Sequence, residues 1–179
     1  MKSEMTLKSD NALASFASQL SQVDREDYTK IFNRFDFNSI DFGLYESWSL
    51  EGYTRNCLFK DDKFELLLIC WGPNQETSVH NHDGEDCWVH LITGEIEENF
   101  YKFDELANLV KFKSQIVVET TTSFINDKIG LHKLRNNSEG KTMSLHLYAK
   151  PIRSCRSYCE RSGEFEVKIM GYNSQPKVN

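Results

Sequence analysis

The chain has 179 residues, which is enough for one domain with a buried core, and its hydrophobic (39%) and charged (27%) fractions are ordinary for a globular protein. The formal net charge of −6 and the lack of a basic run argue against nucleic acid or an anionic membrane as the main partner. No segment approaches the roughly 20 apolar residues that a membrane helix needs.

The five cysteines are odd in number, which argues against a disulfide framework, and the first residues lack the apolar core of a signal peptide. We therefore expect a cytoplasmic protein. We expect residues 1–179 to form a single domain, and because no apolar run indicates an interface, we expect a monomer.

The first quarter of the chain is predicted to be helical, over about residues 9–50. Ser9 and Asp10 offer an N-cap, and the residues before them are expected to be loose. The apolar residues that follow at helical spacing are Leu13, Phe16, Leu20 and Val23. A second helical stretch is predicted over Tyr28–Phe35, and a third, weaker one over Ile40–Trp48.

After Gly52, short runs rich in β-branched and aromatic residues alternate with turn residues, which predicts strands. The predicted strands are Tyr53–Phe59, Phe64–Trp71, Cys87–Thr93, Glu95–Phe103, Gln115–Thr121, Thr142–Ala149 and Phe165–Tyr172. We therefore expect a mainly β protein, in which residues 52–172 form an antiparallel β-barrel or jelly roll and the N-terminal helices pack on it.

Three of the five histidines lie in two short segments, His80-Asn81-His82 and Gly130-Leu131-His132. Residues i and i+2 of a strand project from the same face, so His80 and His82 can point together. Two neutral imidazoles on one face, joined by His132, predict a site for a divalent metal. His90 is three residues from Cys87 and is predicted to face the other way, in a structural role.

The segment Thr142–Tyr148 alternates in character. Ser144, His146 and Tyr148 share one face of the predicted strand, and Met143, Leu145 and Leu147 share the other. A polar row of this kind is unusual in a plain core, because each polar group needs a partner. We expect it to line a polar pocket.

The spacing Gly72-x7-His80-x-His82-x4-Cys87-x6-Gly94 resembles the first cupin motif, and His132-x3-Asn136 resembles the second. Cys87 stands where that motif normally has a glutamate ligand. Three neutral histidines would leave the full charge on the metal, which favours an anionic thiolate as substrate.

When further segments are considered together with these two motifs, the chain resembles the cysteine dioxygenases of the arginine-containing type, in the cupin superfamily. The resemblance covers roughly residues 24–172. The matching segments are Tyr53-Thr54-Arg55-Asn56, Cys70-Trp71-Gly72, His80-Asn81-His82, Cys87, Ile129-Gly130-Leu131-His132 and Ser144-Leu145-His146-Leu147-Tyr148.

The resemblance implies a role for each matching residue. It makes His80, His82 and His132 the ligands of Fe(II). It makes Arg55, with Tyr53 beside it, the group that binds the substrate carboxylate. The residues that it makes catalytic are Ser144, His146, Tyr148 and Cys87. His146 and Tyr148 would also contact substrate, and Cys87 and Tyr148 would be joined as a thioether. Cys155 matches a family position near the pocket mouth. Met170 also matches a family position, but we expect it to serve packing.

The implied activity is oxidation of L-cysteine by O2 to cysteine sulfinic acid. Another small thiol such as 3-mercaptopropionate is an alternative substrate, although relatives that prefer it usually carry glutamine in place of Arg55. A non-catalytic metal-binding cupin and a zinc hydrolase are further alternatives. One departure concerns Lys150, because many animal members have a proline there, preceded by a cis peptide bond.

Overall fold

A computed structural model describes residues 2–175. The N-terminal part contains two α-helices, α1 (Lys2–Ser21) and α2 (Tyr28–Arg34), and 3-10 turns at Arg25–Asp27, Phe37–Ser39 and Phe42–Leu44. The predicted helical N-terminal part is confirmed.

Two details of that prediction are wrong. Helix α1 begins at Lys2, and Ser9 lies inside it, buried, with its hydroxyl accepting a hydrogen bond from the Asp41 backbone N–H at 2.8 Å. A serine that ties the helix to the next segment cannot cap it. The helix predicted over residues 40–48 is a single 3-10 turn, because the Asp41 side chain accepts from the Gly43 N–H and stabilises a turn instead.

The remainder of the described chain is built from strands. In chain order they are β1 (Thr54–Lys60), β2 (Glu65–Trp71), β3 (Cys87–Thr93), β4 (Glu95–Phe103), β5 (Leu109–Val118), β6 (Thr122–Ile125), β7 (Leu131–Arg135), β8 (Thr142–Tyr148), β9 (Ser154–Cys159) and β10 (Glu164–Ile169). The mainly β fold class is therefore confirmed.

The strand predictions fail at the less regular segments. The strand predicted over residues 115–121 is part of β5, which ends at Val118; a turn with Thr120 at a φ of 64° then leads into β6. Strands β7 and β9 were not predicted, because neither contains a β-branched residue or an apolar run.

The paired strands run antiparallel in a five-stranded sheet (β1-β2-β8-β3-β6), a three-stranded sheet (β5-β4-β7) and the β9-β10 hairpin. One core cluster lies between the helices and the five-stranded sheet, and includes Phe16, Phe32, Leu66, Leu68, Leu145 and Leu147. A second cluster contains Leu67, Ile69, Trp71, Val89, Phe100 and Leu134. Fully burying such a side chain contributes about 1.5–3 kcal/mol.

Strand β2 has buried residues throughout and separates the two clusters, with Leu66 and Leu68 on the helical side and Leu67 and Ile69 on the other. Paired residues of β2 and β8 lie on the same face of the sheet, so the polar residues of β8 face away from the helices. The sheet thereby directs a polar row into the molecule. No helix in residues 2–175 is long and apolar enough to cross a membrane.

Candidate metal centre and substrate cavity

The three predicted ligand histidines come together. His80 and His82 lie in an extended segment between β2 and β3 and not in a regular strand, while His132 lies in β7. The backbones of His80 and His132 exchange two hydrogen bonds, of 2.9 and 3.1 Å. One potential ligand atom from each of the three side chains lies within 4.8 Å of the others. This grouping is suitable for one metal ion.

Hydrogen bonds orient two of the rings. The carbonyl of Ser78 lies 2.9 Å from Nδ1 of His80, and the carboxylate of Glu98 lies 2.8 Å from Nδ1 of His132. Each Nδ1 therefore carries a proton and donates it, which leaves Nε2 as the ring nitrogen that can bind a metal. Both ring nitrogens of His82 are buried without a hydrogen-bond partner, which is costly unless a ligand binds there. The residues fit a metal ion.

The electrostatics favour neutral imidazoles. Burial, with repulsion from His132, lowers the pKa of His80 to about 3 and the pKa of His82 well below its usual value. Burial alone would raise the pKa of Glu98, but hydrogen bonds from His132, Ser123 and Gln115 lower it overall. The site thus combines two neutral ligand histidines, His80 and His82, with an ionised carboxylate, Glu98, that is hydrogen-bonded to His132.

The loop that carries His82 is fixed by Asp127. Its carboxylate accepts from the backbone N–H of His82 and of Gly84, each at 2.9 Å, and from the Asn81 side chain at 3.2 Å. These bonds hold a tight turn in which Asp83 and Gly84 have φ values of 56° and 87°. No motif in the sequence pointed to this role of Asp127.

The polar row of β8 forms a hydrogen-bonded chain. The Trp71 indole N–H donates to the Ser144 hydroxyl at 2.9 Å, Ser144 lies 2.9 Å from Nε2 of His146, and Nδ1 of His146 lies 3.3 Å from the Tyr148 hydroxyl. Burial lowers the pKa of His146 and raises the pKa of Tyr148, each by a large amount. The row therefore holds a neutral imidazole and a protonated phenol.

Cys87 and Tyr148 lie directly opposite each other across β3 and β8. Cys87 is fully buried, and burial, with the nearby charge of Glu98, raises the pKa of its thiol well above the usual value. Opposed residues of an antiparallel pair have Cβ atoms about 4.5–5.5 Å apart. The register therefore places the two side chains next to each other, as the predicted thioether pair requires.

Arg55 presents a buried donor. Its Nε donates to the Gly171 carbonyl at 3.1 Å, and its guanidinium carbon lies 5.9 Å from the centre of the Tyr148 ring. Its Nη2 is buried, makes no hydrogen bond and lies 3.8 Å from a carboxylate oxygen of Glu65. Burial opposes its charge, but Tyr148 and Glu65 raise the pKa of Arg55 overall. A charged fork with a free donor suits a carboxylate ligand.

A cavity of about 430 Å³, its open mouth included, joins these groups. The predicted site residues that line it are Tyr53, Arg55, His80, His146 and Tyr148. Cys87 and Ser144 are fully buried and lie behind this wall. Cys155 and Met170 line the cavity and approach each other to 3.5 Å between their sulfur atoms.

Two further expectations have clear outcomes. His90 packs against Phe37, with 4.4 Å between ring centres, and bonds to Thr122 at 2.8 Å, which confirms its structural role. The described residues contain no cis peptide bond, and Lys150 instead adopts a φ of 116°. The sequence alone gave no signal for three polar residues at this site, Glu65, Glu98 and Lys168.

Comparisons with known proteins agree with this geometry. A family model described as cysteine dioxygenase type I matches residues 4–161. Cysteine dioxygenase type 1 of Bos taurus is 28% identical over 158 residues, covering 86% of this chain and 79% of that protein. The Danio rerio protein of the same name is 29% identical over 162 residues, covering 88% and 81%.

A solved structure shows the shared fold. A conserved Klebsiella pneumoniae protein with a double-stranded β-helix domain covers 74% of this chain and 96% of its own, at 12% identity and a TM-score of 0.52. This likeness and the antiparallel sheets confirm the cupin-like β-barrel. The chain therefore belongs to the cysteine dioxygenase type I family of the cupin superfamily, and it is a thiol dioxygenase.

Proposed function

We propose that this enzyme uses Fe(II), held by His80, His82 and His132, to oxidise the thiol of L-cysteine with O2 to cysteine sulfinic acid, both oxygen atoms being retained. The observation that carries the proposal is the cluster of three histidines beside a cavity lined by Arg55, whose Nη2 is buried and has no hydrogen-bond partner. The reaction would be a step of cysteine catabolism that leads toward taurine.

The ligand set supports a thiol substrate. Neutral imidazoles do not cancel the charge of a divalent ion, so a thiolate is a favourable partner. Bound Fe(II) would supply Lewis acidity toward the thiol and a redox centre for O2. Buried imidazoles that are already unprotonated need release no proton before they bind metal.

The other end of the cavity supports a substrate with a carboxylate. The free Nη2 of Arg55 would donate to that carboxylate, with the Tyr53 side chain beside it in the same wall. The Tyr53 ring packs on Trp71, with 4.8 Å between ring centres, which fixes this wall. Binding at both ends holds a small substrate in one pose, which can lower the barrier by several kcal/mol.

The hydrogen-bonded row supports a proton-holding role for Tyr148. If Ser144, which accepts from Trp71, donates its proton to Nε2 of His146, then Nδ1 carries a proton and donates to the Tyr148 oxygen. The phenol proton is then free to donate to substrate in the cavity. In this arrangement Ser144 and His146 orient the phenol.

The pairing of Cys87 with Tyr148 supports the thioether crosslink. Its formation joins the sulfur to a ring carbon, with loss of one hydrogen atom from the thiol and one from the ring, and O2 takes up the two electrons. Peptide mass spectrometry after many turnovers should show a linked peptide lighter by two hydrogen atoms. Only free Cys87 would contradict the crosslink and leave the dioxygenase proposal standing.

The function is tested by adding L-cysteine and O2 to protein loaded anaerobically with Fe(II). We expect O2 uptake with an equal amount of cysteine sulfinate, and both oxygen atoms labelled when 18O2 is used. Protein loaded with Zn(II), which has no redox chemistry, should consume no O2. Uptake without sulfinate would overturn the proposal, and faster turnover of 3-mercaptopropionate would assign the alternative substrate.

A further inference from the structure

Lys168 faces the substrate cavity from the β9-β10 hairpin. It lies directly opposite Cys155 in the register of the hairpin, and opposed residues of an antiparallel pair point to the same side. Three hairpin residues, Cys155, Ser157 and Lys168, line the cavity, together with Met170, which follows β10. The alternate residues Val167 and Ile169 are 69% and 78% exposed, as expected for the outer face.

The ammonium group of Lys168 has no carboxylate partner among the ion pairs of residues 2–175. Two acidic residues of the hairpin and the adjoining loop are Glu166, which lies opposite Ser157, and Asp83, which accepts a hydrogen bond from Ser154. Both are exposed, and neither lines the cavity. Lys168 is therefore a free positive charge at the cavity.

Unlike Lys168, Arg55 has a carboxylate close to its charged group. The Glu65 carboxylate, which is fully buried, lies 3.8 Å from Nη2 of Arg55 and also accepts from the Tyr172 hydroxyl and the Ile152 N–H. Seen from outside, Arg55 and Glu65 form a nearly neutral pair. Of the two described Lys or Arg residues that line the cavity, Arg55 and Lys168, only Lys168 has no carboxylate within ion-pair distance.

We propose that Lys168 is a specificity-determining residue, which draws thiols bearing a carboxylate into the cavity and disfavours thiols without one. This inference rests on the proposed function. An exposed cation acts through solvent, so its effect on association is modest and is screened by salt. Arg55 would then bind the carboxylate that Lys168 attracts.

The test compares Lys168→Gln with wild type, with Lys168→Arg, and with Lys111→Gln, which removes the same charge from an exposed position on β5. In about 0.01 M salt, kcat/KM for L-cysteine should fall roughly three- to tenfold in Lys168→Gln, with kcat within about twofold, and the difference should vanish near 1 M. Lys168→Arg should keep wild-type values. Equal values for Lys168→Gln and Lys111→Gln would overturn the proposal.

Cysteamine, which has no carboxylate, provides the second arm. Its anaerobic binding to the Fe(II)-loaded protein, measured by calorimetry beside that of L-cysteine, should not weaken in Lys168→Gln. Equal weakening for both thiols would overturn the charge argument. This binding comparison does not depend on turnover: if wild type forms no sulfinate, the proposed function fails, and the binding data still decide the role of Lys168.

Discussion

Replacing Glu98 by glutamine should weaken metal binding without unfolding the protein. The substitution removes a buried negative charge 2.8 Å from Nδ1 of His132, the histidine whose Nε2 faces the proposed metal. The carboxylate makes the imidazole a better ligand by stabilising partial positive charge on the ring. Loss of such a partner typically lowers metal affinity 10- to 100-fold, which corresponds to about 1.4–2.7 kcal/mol.

The surroundings of Glu98 allow this charge to be removed with little rearrangement. The oxygen of a glutamine can still accept a hydrogen bond from His132. Its amide can donate to the Ser123 hydroxyl, which in the wild-type protein donates to Glu98. Gln115 loses its bond to Glu98 but keeps its 3.0 Å bond to Ser123. The expected loss is therefore electrostatic, and the thermal unfolding temperature of the metal-free variant should change little.

The assay is competition for Fe(II) with a chromogenic chelator under argon. The control is Glu95→Gln, which removes the same charge from an exposed position at the start of the same strand. We expect the dissociation constant of the Glu98→Gln variant to be roughly 10- to 100-fold above that of the control. Affinities within twofold, in variants that melt cooperatively at similar temperatures, would refute the reasoning.

Three further substitutions test other parts of the structure. Arg55→Lys should raise KM for L-cysteine about tenfold or more, because an ammonium group cannot make two parallel bonds to a carboxylate; an unchanged KM in steady-state assays would contradict this role. Burial lowers the pKa of His90 to about 4, so the stability from its neutral ring is present above the unfolded pKa of about 6.5 and is lost, by up to about 3 kcal/mol, as pH falls to 4. His90→Asn should flatten the pH dependence of the free energy of unfolding by roughly 1 kcal/mol per pH unit over that window. If urea titrations show the same pH dependence in the variant and in wild type, His90 does not have this effect. Lys150→Gly should raise the unfolding free energy by about 1 kcal/mol, because a φ of 116° strains any residue with a Cβ; a fall would show that the lysine side chain stabilises the turn.

The regular strands could be predicted because their residue types indicate both a strand and the residues that lie on each of its two faces. The predicted bounds of β3 and β4 are those of the structure, and the bounds predicted for β2 and β8 differ from it by one residue. Strands β2, β3 and β8 contribute residues to both apolar clusters, so their sequences are rich in apolar residues. Strand β7 carries His132 but only two leucines as apolar residues, and its pairing with β4 supplies the stability that its sequence does not indicate.

The grouping of the three histidines also followed from the sequence, through motif spacing. The residues that tune the site did not, because their roles depend on the register between distant segments. Glu98 meets His132 only through the pairing of β4 with β7, and Glu65 meets Arg55 only through that of β2 with β1. A buried glutamate in a strand resembles a solvent-facing one until its partners are known.

The position of the negative charge is what distinguishes this site from a two-histidine, one-carboxylate site. There the carboxylate binds the metal directly and reduces its net charge. Here Cys87 stands at the corresponding motif position, with its thiol kept protonated by burial, and the buried carboxylate, Glu98, lies behind His132. The carboxylate can strengthen a ligand without occupying a coordination position or contacting a thiolate. An anionic substrate is thereby favoured at the metal while the ligand histidines remain firmly oriented, and this arrangement is the physical basis for assigning the site to a thiol.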